Sequence, residues 1–111
     1  LLPEFREWYD NNILPRIKDL WDVFKDFSYY DPKQKGSTSI KYVLPVLSDL
    51  KYDDLDIKNG ILASLEYERV TYGDVSEEER ERIRGHLEKY CELDTLAEVE
   101  IIRGLRKIFV N

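Results

Sequence analysis

An all-α fold is what this sequence predicts, and three observations predict it. Apolar residues recur at helical spacing through most of the 111 residues, no run alternates with period two between turn signals, and capping residues stand where the apolar periods begin or end. At 42% hydrophobic and 36% charged, the chain is apolar enough to build one small domain core and too apolar for a disordered tail.

Residues 3–27 read as two helices, or one broken helix. Pro3 suits a first helical turn, and Phe5, Trp8 and Tyr9 follow at helical spacing. "DNNILP" interrupts, after which Ile17, Leu20, Trp21, Phe24 and Phe27 fall on one face, so that these aromatic positions are core candidates. "SYYDPKQKGSTS" (28–39) is a loop, marked by Asp31-Pro32, Gly36 and its hydroxyl residues. Ser39 is placed to cap "IKYVLPVLSDL", which Pro45 should bend by removing a backbone donor. "KYDDLDIKNG" is polar and turn-rich, with Asn59-Gly60 its strongest turn signal. The helix "ILASLEYERVTY" follows, packing through Ile61 or Leu62, Leu65 and Val70, and Gly73 ends it.

The last helix is expected over about 77–109. Ser76 and Glu79 have capping-box spacing. Glu77, Glu78 and Glu79 suit its positive dipole end, and Arg103, Arg106 and Lys107 its negative end. At about 100° per residue from Ile83, Leu87, Tyr90, Ala97, Ile101 and Leu105 all lie within about 40° of one line. Asp94 falls at about 20°, in the centre of that stripe, and Glu98 at about 60°, on its edge. Leu93, Leu96, Val99 and Ile102 point elsewhere, which predicts burial on more than one side. An ionised carboxylate in that setting needs an Arg or Lys, a set of backbone N–H groups, or a metal ion. "RIRG" and "RGLRK" supply basic candidates. Tyr90, one turn earlier, can aim its hydroxyl at the same place.

Charge and cysteine usage exclude several function classes. A net charge of −6 is wrong for a generic coat on nucleic acid. The single Cys91 allows no internal disulfide and all but removes a cysteine-based zinc site, which fits a reducing cytoplasm; Cys91 itself reads as a small buried apolar residue. No apolar run approaches a membrane span. The chain opens "LLPEF" and contains no Met, so we expect one helical segment over 1–111 that is the C-terminal part of a longer protein.

"YCELD" has the form Tyr-x-x-x-Asp and resembles the third motif of the DnaQ-like (DEDD) 3′–5′ exonucleases, in the subclass with Tyr in place of His. "GSTSIKYVLPVLSDLKYDDLDIKNGILAS" followed by "YCELDTLAEVEII" also resembles an uncharacterised bacterial family. Its members read Gly-Ser-x-Ser-Leu/Ile-Lys-x-Val-Leu-Pro, then Tyr-x-x-Leu-x-Ile, then Tyr-Cys-x-x-Asp-Thr-Leu-Ala-Met. The likeness spans 29–105. The layout is also similar to ribonuclease D.

The resemblance implies the helical C-terminal part of a ribonuclease H-like α/β nuclease domain. In such enzymes four carboxylates hold two divalent metals. Asp94 would be the metal ligand from the last helix, Tyr90 would orient the attacking water, and Mg²⁺ or Mn²⁺ would be the cofactor, acting on DNA or RNA. The sequence departs from the pattern in having no Asp-x-Glu strand and no middle motif, so one ligand of four is expected here and the isolated chain should be inactive. Glu98 stands where the family has Met. Lys41, Ser39 and Lys35 are candidate phosphate contacts, alongside their simpler reading as solvated loop and helix-end residues. His86, the only histidine, reads as a partly exposed helix residue. The alternative function is a non-catalytic helical interaction or scaffold module in which Asp94 pairs with a basic side chain. Either way a missing sheet would leave an apolar face open, and a homodimer through that face is expected.

Overall fold

A computed structural model describes residues 2–110. Among them it contains α-helices and short 3-10 turns, with no strand. The α-helices are α1 (Arg6–Asn12), α2 (Asp22–Lys25), α3 (Ile40–Leu47), α4 (Gly60–Tyr72) and α5 (Glu77–Phe109). The chain divides into two compact units, with the break between Tyr30 and Asp31.

In the first unit the expected second helix shrinks to the four residues of α2. Pro15 sits in a 3-10 turn, Leu14–Arg16, and Ile17 is extended at φ −70° and ψ 123°. That break destroys the phase relation that put five apolar residues on one face. Only Phe24 of them is buried; Ile17, Trp21 and Phe27 are exposed, as is Trp8. Phe24 meets Tyr29 edge-on at 6.0 Å, and Phe27 takes the left-handed conformation at φ 53° where α2 ends.

The second unit builds a core from α3, α4 and α5. The loop before α3 folds around Gln34, which is fully buried. Asp31 caps the 3-10 turn Pro32–Gln34 by accepting the Lys33 N–H, while the Gln34 side chain accepts from the Asp31 N–H and donates to the Ser37 carbonyl. Both ends of the buried amide are therefore satisfied. Ser39 is the N-cap of α3, yet its side chain makes no capping bond. Pro45 lies inside α3, and the helix ends two residues later at Leu47 with an extended Ser48.

α4 starts where Asn59 accepts the Leu62 N–H at 2.9 Å and stops at Gly73. Val70 is its buried anchor and Leu62 is half-buried, whereas Ile61 and Leu65 turn outward. Ser76 caps α5 by accepting the Glu79 N–H. The reciprocal half of the box is absent: the Glu79 carboxylate instead bridges Arg82 and Arg69. That network, with Glu66 on Arg69, ties α4 to the first turns of α5. Arg80 also donates to the Val70 carbonyl, one of the acceptors that α4 leaves unbonded at its C-terminal end.

α5 buries one stripe: Ile83, Ala97, Ile101 and Gly104. The other directions are not buried as expected. Leu93 is half-buried, while Leu96, Val99 and Ile102 are 38–41% exposed. Cys91, expected inside, is exposed. On the buried stripe α3 comes close at Gly104, where a side-chain methyl would lie 2.8 Å from both the Leu47 carbonyl oxygen and Leu47 Cβ.

Candidate functional site

Asp94 sits one turn before Ala97 on the stripe of α5 that faces the core, and it is half-buried. Among the described residues it forms no ion pair with an Arg or Lys. Two of the basic candidates are engaged elsewhere, Arg103 with Glu100 and Arg82 with Glu79. Instead the Tyr52 hydroxyl donates to Asp94 Oδ1 at 2.5 Å, joining residues 42 apart in the chain.

Tyr52 reaches Asp94 because a 3-10 turn, Tyr52–Asp54, folds the polar stretch after α3 back onto α5. Its ring is 3% exposed, and Ile57 on the same stretch is also buried. Tyr90 completes the cluster. Its ring lies 6.0 Å from that of Tyr52, tilted by 59°. Its hydroxyl lies against the start of α4, where a methyl added at Gly60 would sit 3.6 Å from it.

The electrostatics follow from this packing. Burial, then the hydrogen bond to Asp94 and its charge, push the Tyr52 phenol well above its ordinary pKa. Burial first and the Asp94 charge second raise Tyr90 as well. Both phenols therefore remain protonated at neutral pH, so neither acts as a base, and Tyr52 serves as the hydrogen-bond donor. The arrangement is a carboxylate flanked by two neutral phenols, with Oδ1 fixed by one of them.

As a complete metal centre these residues do not fit. Asp94 offers one oxygen that Tyr52 does not hold, and no group of three His, Cys, Asp or Glu able to hold a metal occurs among the described residues. Glu98, one turn after Asp94, is exposed.

Ser39 and Lys41 come together in a surface depression of about 870 Å³, lined also by Asn59, Gly60, Ile61, Leu62 and Leu65. Gly60 links this depression to the Tyr90 hydroxyl. Lys35 is not one of its lining residues; it lies in the loop, exposed and left-handed at φ 54°. His86 is half-buried, with Nδ1 2.8 Å from Asp56 Oδ2 but outside hydrogen-bond geometry. The sequence reading missed Tyr52 as a site residue. Its signal was present in the Tyr-x-x-Leu-x-Ile pattern, Tyr52, Leu55 and Ile57, an aromatic with two apolar partners in an otherwise polar turn.

No protein-family model matches this chain, and neither a curated protein nor a solved structure matches it.

Proposed function

We propose that this chain is the C-terminal helical part of a cytoplasmic, metal-dependent DnaQ-like 3′–5′ exonuclease that hydrolyses phosphodiesters of DNA or RNA. The observation that carries the reading is the pairing of Tyr90 and Asp94 one turn apart on α5, with the carboxylate held in place by the Tyr52 hydroxyl. Asp94 would contribute one hard oxygen to Mg²⁺ or Mn²⁺, the remaining ligands coming from an upstream segment. A protonated Tyr90 is suited to orienting a water molecule, and its raised pKa argues against its taking the proton. Lys41 and Ser39 line the depression reached past Gly60, where a nucleic-acid phosphate can meet the ammonium; Lys35 is the weaker third contact. The isolated chain, with one ligand of four, would be inactive.

The test is a nuclease assay with Mn²⁺ on the full-length polypeptide that carries this segment, beside its Asp94→Asn variant. Loss of degradation in the variant is expected. Equal degradation by both removes Asp94 from the chemistry. A second reading, a non-catalytic helical interaction module, is favoured by the Tyr52–Asp94 bond itself, since a carboxylate so engaged stabilises the fold with no ligand. On that reading Asp94→Asn lowers stability, and neither protein degrades nucleic acid.

A further inference from the structure

The outward face of α5, opposite the stripe that meets the core, carries an ordered charge pattern. Relative to Ile83, Glu88, Glu92, Leu96, Val99, Arg103 and Arg106 all lie within about 40° of the line at 180°. All are exposed, Leu96 by 38% and Val99 by 41%. The order along the helix is acidic, apolar, basic. Among the described residues Glu88, Glu92 and Arg106 form no ion pair, and Arg103 pairs with the half-buried Glu100 on the same helix. Leu96 also lines a groove of about 240 Å³ in which Leu50, Leu55 and Leu93 are joined by charged residues, Glu92 among them.

We infer that this face pairs with the same face of a second copy of the chain, α5 against α5 and antiparallel. A two-fold axis between Ala97 and Glu98 sets Leu96 opposite the partner copy's Val99 position, and Glu92 opposite its Arg103 position. Glu88 then meets the basic last turns, where Arg106 lies. A parallel pair would instead set Glu92 against Glu92 and Arg103 against Arg103, which the like charges oppose. The occupant is a second copy because the pattern is complementary to its own reverse, as a two-fold interface requires. The apolar centre is only two residues per copy, so the dimer is weak and salt-sensitive. This inference is independent of the nuclease reading.

Sedimentation velocity of this chain over a concentration series, at low and high salt, is the first measurement. A reversible dimer that weakens with salt is expected, and a monomer at every concentration overturns the proposal. Charge swaps locate the interface. Glu92→Arg alone and Arg103→Glu alone should each weaken self-association by about tenfold or more. Mixing the two variants should restore a dimer, since each then meets the opposite charge. The double variant Glu92→Arg/Arg103→Glu should self-associate as the original does. These positions are exposed, and circular dichroism confirms that each variant folds. A dimer indifferent to the swaps places the contact elsewhere, for instance on the exposed Ile61 and Leu65 of α4, and overturns the inference.

Discussion

Replacing Gly104 by alanine sets helix preference against helix packing. The added methyl would lie 2.8 Å from the Leu47 carbonyl oxygen, 2.8 Å from Leu47 Cβ and 3.4 Å from Leu47 Cα. Carbon contacts are comfortable at about 3.5–4.0 Å, so two of these are short by about 0.7 Å. Two of the three atoms are backbone and have no rotamer to retreat into; α3 must move away from α5. Overpacking of this kind costs about 1–3 kcal/mol. Alanine offsets about 0.8–1.0 kcal/mol through its helix preference. The net expectation is a loss of about 1 kcal/mol, or roughly 4–8 °C in Tm for a domain of this size. Gly85, on the same helix, is the control, because a methyl there meets nothing within 4 Å. Gly85→Ala should gain roughly 0.5–1 kcal/mol. Urea and thermal unfolding followed by far-ultraviolet circular dichroism measure both. Opposite signs are expected from one chemical change on one helix. If Gly104→Ala stabilises as much as Gly85→Ala, α3 does not rest on α5 at Leu47.

Four further outcomes follow from the same packing. In a double-mutant cycle, Tyr52→Phe and Asp94→Asn should show positive coupling, since a hydrogen bond to a charged group is worth about 1.5–3 kcal/mol; additive effects would contradict the bond. The raised Tyr52 pKa means its contribution is complete below the ordinary value of 10.0 and declines as pH rises above it, so alkaline unfolding should begin earlier in the unsubstituted chain, relative to neutral pH, than in Tyr52→Phe. The hydrogen bonds from Arg82 and Arg69 hold the Glu79 carboxyl down at about 2, below its ordinary 4.5; its contribution is present above 4.5 and is lost as pH falls toward 2. Glu79→Gln should flatten the stability profile across that window, and an unchanged acid limb would show that the network does not form. Gln34→Ala should cost about 1–3 kcal/mol by stranding the Asp31 N–H and the Ser37 carbonyl, and limited proteolysis should then cut within 31–39.

The helices that carry the site were legible where their ends are fixed by local chemistry. Asn59, Gly73 and Ser76 set boundaries through bonds to residues three or four away, and such bonds show in spacing alone. The first thirty residues were less legible because periodicity presumes an unbroken helix, and Pro15 with the extended Ile17 resets the phase. Periodicity puts Asp94 on the stripe, where it is half-buried, but points to basic side chains, backbone N–H groups or a metal as its partner. The hydrogen-bond partner it meets is a neutral phenol, distant in sequence and set in a stretch whose polarity reads as turn. Cys91 shows the same limit from the other side: its residue type predicts burial, and its place on the rim of the stripe leaves it in water.

The span of the Tyr52–Asp94 bond has a consequence for the order of assembly. α4 and α5 are neighbours in the chain, and the contacts that lock their corner, Arg80 on Val70 and Arg69 on Glu79, each span ten residues. Closing such short loops costs less entropy than closing one of 42 residues. The helical hairpin can therefore form early and persist, while the phenol–carboxylate contact closes after it and opens before it. Hydrogen exchange would register this as amides of the Tyr52–Asp54 turn exchanging at lower free energy than those of α5 around Ile83. The candidate site is thus less durable than the α4–α5 hairpin beneath it, and can open without dismantling that hairpin.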